Sequence, residues 1–455
     1  MLSSKLSRRL ATLCLMVALW GLCGGFVSSS RAGILRDRRA VGGVLVDANG
    51  VVRQVTPAEQ AQALLRLRQA VAEAAPELAA RNDLRKISLR GLEAALTEAL
   101  DDPGRPVPED IEFLAGLQRI QYVFVYPELN DIVLAGPGEG WRVDEQANVV
   151  GITTGRPVLQ LEDLLVAMRT VEAARLEGIS VSIDPTEEGR RNFRRFMETQ
   201  QVMNPAVLRG IERAMGPQQV TFTGVPINSH FAQVLVAADY RMKRLAMNLE
   251  PAPIEDLPGF LDLLQAKRRL PGNAMPRWWL TANYEPLVRS DDRLAWELRG
   301  PRVKALTEDE LVQADGTVQA TGQEDPVAKA WADRMTERYE DLAQQEPVFA
   351  ELQNLMDLCV VAALIERENL RELAGVEFPL LSGQREGLAL EPWNPPRTVP
   401  TQCSYARIGR RYVITASGGV EIDSWGVAAQ HVVDSSVGEI QAAAAPPEGS
   451  TWWWQ

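Results

Sequence analysis

The spacing of apolar residues changes period several times along this chain, and each change marks an expected element. In VGGVLVDANGVVRQV (residues 41–55) two short β-rich runs flank Asn49-Gly50, a dipeptide that accepts the positive φ of a tight turn, so an antiparallel hairpin is expected. Thr56-Pro57-Ala58-Glu59 then combines a capping box with proline at the first helical position. A helix should run from there to about Ala75, where Pro76 stops it. A second helix is expected over residues 88–100, followed by a proline-bounded linker at 103–108. The strongest strand signal is QYVFVYPELNDIVLAG (121–136), two runs of β-branched and aromatic residues around a polar turn, and WRVDEQANVVGI (141–152) is expected to continue the same sheet.

Helical periodicity returns with Leu161, Leu164, Leu165, Met168 and Val171, which predict a helix over 160–176. ISVSIDP (179–185) reads as a strand, residues 186–199 and 204–215 as helices, and QVTFTGVP (219–226) as a further strand. In SHFAQVLVAADYRMKRLAMNLE (229–250), Phe231, Val234, Leu235, Ala238, Met242, Leu245 and Leu249 form one apolar stripe. His230, Gln233, Tyr240, Lys243 and Arg244 fall mostly outside it, and Asp239 can pair with Lys243 one turn on. This pattern describes a packed helix with a polar histidine at its start better than it describes a catalytic segment.

RWWLTANYEPLVRSDDRLAWELRG (277–300) reads as an antiparallel pair turning at 290–292. Two helices opened by an acid and a proline follow, at 325–343 and 346–373. Their apolar faces (Val327, Trp331 and Met335 against Phe349, Leu352 and Cys359) suit a helical hairpin. From Pro392 the chain is loop-rich with one hairpin, RYVITASGGVEIDSW (411–425), and residues 441–455 lack a core pattern and are expected to be disordered. The fold class is therefore α+β, a mixed sheet core with packed helices. The expected division is an N-terminal hairpin with helices (33–118), the α+β core (119–311), the helical hairpin (325–373), a loop-rich segment (374–440) and the tail. At 455 residues, 46% of them hydrophobic, the chain is long enough for two or three cores.

The N-terminus changes the setting. Lys5, Arg8 and Arg9 precede an apolar run over residues 10–27, and Ser30-Arg31-Ala32 offers the small residues of a signal peptidase site, so cleavage after Ala32 is expected. A retained membrane anchor is the alternative, because the run approaches the ~20 residues that span a bilayer. Cleavage would remove four basic residues and no acidic one, taking the formal charge from −12 to −16. An acidic surface argues against nucleic acid and anionic lipid as partners, and no stable membrane insertion is expected once the signal is gone. Cys359 and Cys403 would remain, enough for one disulfide that ties the loop-rich segment to the helical hairpin. Cys359 on an apolar face reads more commonly as an unpaired packing residue.

Catalytic signals are sparse. A serine nucleophile usually works with a histidine, and only His230 and His431 are present. No Gly-x-Ser-x-Gly elbow occurs. Ser417-Gly418-Gly419 is similar to the nucleophile region of trypsin-like proteases, but Ala416 stands where those carry aspartate, and a glycine-rich hairpin turn is the expected role. Two isolated histidines match no zinc spacing, so neither a metal nor a cofactor is expected. Asp131, Glu139, Asp144 and Asp184 fall around the predicted sheet, and a pair of them could do the acid–base work of a glycoside hydrolase. Among 60 acidic residues such clustering also arises by chance. GPGEGW (136–141) lacks the following helix that a phosphate-cradling loop needs. Trp278, Trp279, Tyr284 and Trp296 form the candidate aromatic ligand platform, although packing in a sheet is the commoner fate of such residues.

DIVLAGPGEGW, TGRPVLQLEDL, SHFAQVLVAADYRMKRLAMNLEP and PRWW together resemble a family of uncharacterised secreted planctomycete proteins defined only as a domain of unknown function. The likeness spans about residues 122–311, and it implies an exported context but no activity. The expected function is that of an exported, non-catalytic binding or envelope-organising protein, with an envelope or extracellular protein or glycan as partner. The alternative is a secreted hydrolase using paired carboxylates. N-terminal sequencing of protein from the native host should find Gly33 first; an intact residue 1–32 segment in a cytoplasmic fraction would refute export.

Overall fold

The computed structural model describes residues 40–101, 107–200, 205–268, 276–308, 310–312, 318–320, 324–388, 392–408, 410–446 and 453–455; the expected signal segment, residues 1–32, lies outside them. The first expected hairpin forms as β1 (Val44–Val46) and β2 (Val52–Gln54). Gly50 takes φ +82° in the turn, and the Asp47 carboxylate accepts from the amides of Asn49 and Val51. Helix α1 (Pro57–Ala70) opens on the reciprocal Thr56–Glu59 capping box and stops at Val71, a little short of the expected end. Strand β3 (Asn82–Ser88) precedes α2 (Leu89–Leu100), and Ser88 both ends the strand and caps the helix through its hydroxyl.

Next come β4 (Tyr122–Tyr126), β5 (Asp131–Gly138), the short strands β6 (Trp141–Val143) and β7 (Val149–Gly151), and α3 (Leu161–Glu177). They lead to β8 (Ile179–Asp184), α4 (Glu187–Glu198), α5 (Pro205–Met215), β9 (Gln218–Thr223) and α6 (His230–Ala246). Four strands follow, β10 (Arg277–Asn283), β11 (Leu287–Arg289), β12 (Ala295–Glu297) and β13 (Arg302–Glu308). Then come α7 (Pro326–Glu337), α8 (Tyr339–Gln345) and α9 (Pro347–Arg367). The last stretch supplies β14 (Thr398–Val399), β15 (Ser417–Ile422), α10 (Ser424–Ala428), β16 (His431–Val433) and α11 (Ser436–Ala444).

Two six-stranded mixed sheets carry the fold, which is α+β. One runs β13-β10-β15-β8-β9-β14 and the other β16-β11-β12-β4-β5-β3. Each contains a single parallel pair, β10 with β15 and β11 with β16. The stretch expected as one antiparallel pair at 277–300 is split between the sheets: β11 and β12 form the expected hairpin, whereas β10 belongs to the other sheet. Likewise β6 and β7 pair only with each other and do not extend the β4–β5 ladder, because the chain turns away at Glu139-Gly140.

Ser417-Gly418-Gly419 is not a hairpin turn. It lies within β15, a central strand between β10 and β8. A Cβ on Gly419 would sit 1.8 Å from the Val181 carbonyl oxygen, and one on Gly418 1.8 Å from that of Trp278 at φ +117°. The glycines allow neighbouring backbones to approach where any side chain would collide.

The sheets also cross the expected divisions, since β3 comes from the N-terminal segment and β14, β15 and β16 from the loop-rich one. The main buried cluster accordingly runs from Val41 to Ala428, with three smaller ones beside it. The expectation of a disordered tail is corrected where the tail is described. Helix α11 reaches Ala444, and Trp453–Gln455 pair with β3, the Ser88 amide donating to Trp453 O at 2.7 Å and Lys86 exchanging two bonds with Gln455. Three residues are too few to show a period, but they satisfy edge amides that a strand cannot leave bare without loss. Cys359 and Cys403 are free thiols in different clusters, Cys359 in the main core and Cys403 against Ile211.

Helix α6 is far more enclosed than its stripe suggests. It packs on β8, β15, α3 and α9, and 15 of its residues are buried. Near its C-terminal end Lys243 Nζ donates to Asp239 Oδ2 at 2.7 Å, to Ile183 O at 3.0 Å and to Gly418 O at 3.1 Å. All three ammonium protons thus find acceptors, on the helix itself and on two strands. Asp239 has no exposure, and burial lifts its carboxyl to about 6 against the pull of Lys243. Helix α9 is the one helix among the described residues long and apolar enough to cross a membrane, and its residues from Val348 to Ile365 are all buried inside the protein. Replacing Lys243 by methionine leaves Asp239 without its counter-charge and is expected to cost ~3–5 kcal/mol in urea unfolding. Adding Asp239→Asn should return part of that loss; an unchanged midpoint for the single variant would show that the pair holds nothing.

Candidate functional site

A cavity of about 260 Å³ lies between α1, the β6–β7 turn, Phe113 and the N-termini of α3 and α6. Its walls are mixed: Val41, Ala63, Leu67, Val71, Phe113 and Val149 supply apolar surface, and Arg66, Glu109, Glu112, Asn148, Gln160, Glu162, His230 and Glu351 the polar groups. Glu112 is exposed, Arg66, Glu109, Glu162 and Trp393 are half-buried, and His230 and Glu351 are buried.

His230 is the first residue of α6, whose N-cap Ser229 accepts from the Ala232 amide at 3.1 Å. Its Nδ1–H donates to Asp163 at 2.9 Å (Oδ2) and 3.1 Å (Oδ1). Asp163 stands in the first turn of α3, where the helix dipole favours a carboxylate. The His230 side chain is 5% exposed and that of Asp163 6%, so solvent barely screens the pair. Burial disfavours a charged imidazole, but the Asp163 charge and hydrogen bond overcome it and raise His230 to about 10. The ring therefore holds both protons at neutral pH, and Nε2 is the nitrogen left to donate to anything in the cavity. Trp393 stands 5.1 Å from the imidazole and donates its Nε1–H to Glu162 at 3.0 Å.

Glu351 projects from the second turn of α9 and is 8% exposed, yet its Oε2 finds no hydrogen-bond partner. Burial raises its carboxyl to about 7; the His230 charge draws it down, and Asp163 and Asp144 push it further up. The site thus couples an imidazolium held by Asp163 to a carboxyl that titrates near neutrality.

The residues singled out in the sequence do not meet. Trp278 is packed in the core between Phe260 (5.1 Å) and Trp331 (4.9 Å). Trp296 is fully buried in the other sheet beside His431. Trp279 lies under the Arg277 guanidinium at 4.5 Å, and the Tyr284 hydroxyl donates to buried Asp357 at 2.6 Å. These four side chains therefore form no shared platform, because consecutive strand positions face opposite ways and the two sheets separate the rest.

The four carboxylates are equally dispersed. Asp131 accepts from Ser88 and the Arg90 amide, and Glu139 from Gln118, Thr153 and Thr154. Asp144 closes a turn on Asn148, and Asp184 lies 3.6 Å from Arg277. Only Asp144 acts on the cavity, through its charge on Glu351. Sequence reasoning missed Asp163, Glu351 and Trp393, which come from three distant segments. The one available signal was a glutamate near the start of an otherwise apolar α9.

The family described as Protein of unknown function (DUF1598) matches residues 181–260, which span β8 to α6 and include His230 but not Asp163, Glu351 or Trp393. No curated protein and no solved structure matches the chain.

Glu351 makes stability depend on pH in a stated direction. The unfolded carboxyl ionises near its ordinary 4.5, while the folded one holds its proton to about 7, so stability falls as pH rises through that interval. The loss is about 3 kcal/mol. Glu351→Gln cannot ionise and should match the wild type near pH 4.5 but be the more stable by pH 7.5 in urea titrations. Parallel pH profiles for the two proteins would contradict this assignment.

Proposed function

We propose that this chain is an exported binding protein of the cell envelope or exterior, without catalytic activity, that holds a small ligand in the cavity beneath α1. The observation that carries this reading is a cavity of mixed lining on which two buried polar groups converge, His230 held by Asp163 and Glu351 with its unpartnered oxygen. The signal-like residues 1–32 support an exported setting. Nucleophilic catalysis fits poorly. Among the described residues no serine, threonine, cysteine or lysine lines the cavity, and an imidazole held protonated is no general base at neutral pH.

A secreted hydrolase with paired carboxylates remains the second reading, now on Glu351 and Glu162, which share the cavity, Glu351 with a carboxyl near neutrality suited to a general acid. Mass spectrometry of protein isolated gently from native envelopes should show a bound small molecule that is absent from Ala63→Phe, a variant that fills the cavity from a half-buried position on α1. Turnover of a glycoside, ester or peptide panel that vanishes in Glu351→Gln would replace the binding reading with the hydrolase.

A further inference from the structure

We infer that the outward face of the β13-β10-β15-β8-β9-β14 sheet binds a neutral glycan, with a sugar ring stacked on Trp279 and its hydroxyls bonded to serine and threonine side chains of β8, β9 and β10. This face shares no lining residue with the cavity beneath α1, and the two can fail separately. Strand alternation sets its composition. Ile179, Val181 and Ile183 of β8 and Trp278 and Leu280 of β10 are buried toward the core, so Ser180, Ser182, Trp279 and Thr281 point the other way and are half-buried. The pairing register carries these positions across the strands. One row reads Leu306, Trp279, Gly419, Ser182 and Thr221, and the next Lys304, Thr281, Glu421, Ser180 and Thr223.

From β10 to β9 is three strand spacings, about 14 Å, which is long enough for more than one sugar ring. In the Trp279 row only Gly419 and Ser182 lie between, so a shallow trough runs beside the indole. A Cβ on Gly419 would come within 2.8 Å of Trp279 Cζ3, so any side chain there would displace the ring. The Arg277 guanidinium stacks 4.5 Å from the indole centroid and steadies it. A tryptophan held in this way, still partly exposed, offers rigid apolar surface at little entropic cost. Hydrogen-bonding capacity surrounds it. Among the described residues the hydroxyls of Ser180, Ser182, Thr221, Thr223 and Thr281 have no hydrogen-bond partner. An indole beside unused hydroxyls matches a sugar ring, which carries C–H groups on one face and hydroxyls around its rim.

Charge selects the kind of glycan. Arg277 lies 3.6 Å from Asp184, and Lys304 and Glu421 are the cross-strand neighbours of Thr281 on its two sides, so both signs stand on the face. The chain as a whole carries −12, and a uronate or phosphate polymer approaching it is repelled. A neutral glycan meets no such opposition. A protein partner fits less well, because Trp279 and Leu306 supply the only large apolar groups of the two rows, too few for the apolar centre of a protein interface.

Isothermal titration calorimetry and tryptophan fluorescence would compare cellohexaose, mannohexaose and N-acetylchitohexaose with hexagalacturonate. At least one neutral hexasaccharide should bind, at least tenfold more tightly than the uronate, with an affinity that salt leaves unchanged. Trp279→Ala should lose at least tenfold in that affinity. Ser182→Tyr, which fills the trough from a strand position that tolerates an aromatic residue, should lose as much. If Trp279→Ala does not fold, Ser182→Tyr decides. Ala63→Phe should leave glycan binding untouched, and a loss there would put the glycan in the cavity and overturn the assignment to the sheet face. Binding by none of the neutral glycans, or binding undiminished in both face variants, would overturn it as well. A protein captured from native envelopes by the wild type but not by Trp279→Ala, with no glycan bound, would make the face a protein interface instead.

Discussion

The burial of α6 is the constraint from which the rest of the structure follows. This helix lies between the β8–β15 side of one sheet and the long core helix α9, so it has almost no face left for water. A helix so placed cannot keep ionisable side chains unless each finds a partner, because an isolated buried charge costs several kcal/mol. Both ends obey this rule. Lys243 is answered by Asp239 and two strand carbonyls, and His230 by Asp163 from the first turn of α3. Burial lifts the Asp239 carboxyl, whereas at His230 the Asp163 carboxylate overrides burial and holds the proton on the ring.

The two ends differ in what surrounds them. Around Lys243 every donor is used inside the protein, and the adjoining gap is only about 20 Å³, about the size of one water. Around His230 the neighbours are α1 and the β6–β7 turn, and space for a ligand remains. Helix α1 has no fully buried side chain, so it walls the cavity without being locked into the core. Glu351, with one carboxylate oxygen unmatched, sits where that space meets the core. Unmatched buried polar atoms are uncommon in folded proteins, and one lining a cavity points to a ligand more readily than one enclosed by side chains.

Much of the local structure was legible along the chain. The Thr56–Glu59 capping box, the Asn49-Gly50 turn, the β4–β5 pair, the start of α6 and the acid–proline openings of α7 and α9 all rest on short-range geometry, which a few neighbouring residues fix. The α+β class followed from the same signals. The glycines of β15 were read as a turn, because Ser-Gly-Gly between two β-rich runs looks the same whether the strands fold back or separate. Only the approach of the Val181 and Trp278 carbonyls shows why they are glycine. The aromatic residues misled for a related reason: a tryptophan in a strand has the same sequence appearance in a core as on a binding face.

By itself the sequence determined where helices and strands begin, their class, an acidic composition and an N-terminus with the form of an export signal, since each depends on residues close together or on composition. The tertiary structure decided which strands share a sheet, that a segment expected as a local hairpin supplies a central strand, and that His230 meets Asp163, Glu351 and Trp393. Those groups come from positions 163, 230, 351 and 393, and at such separations no local pattern records a contact. What brings them together is the packing of α3, α6 and α9 around one buried core, a property of the whole chain rather than of any stretch of it.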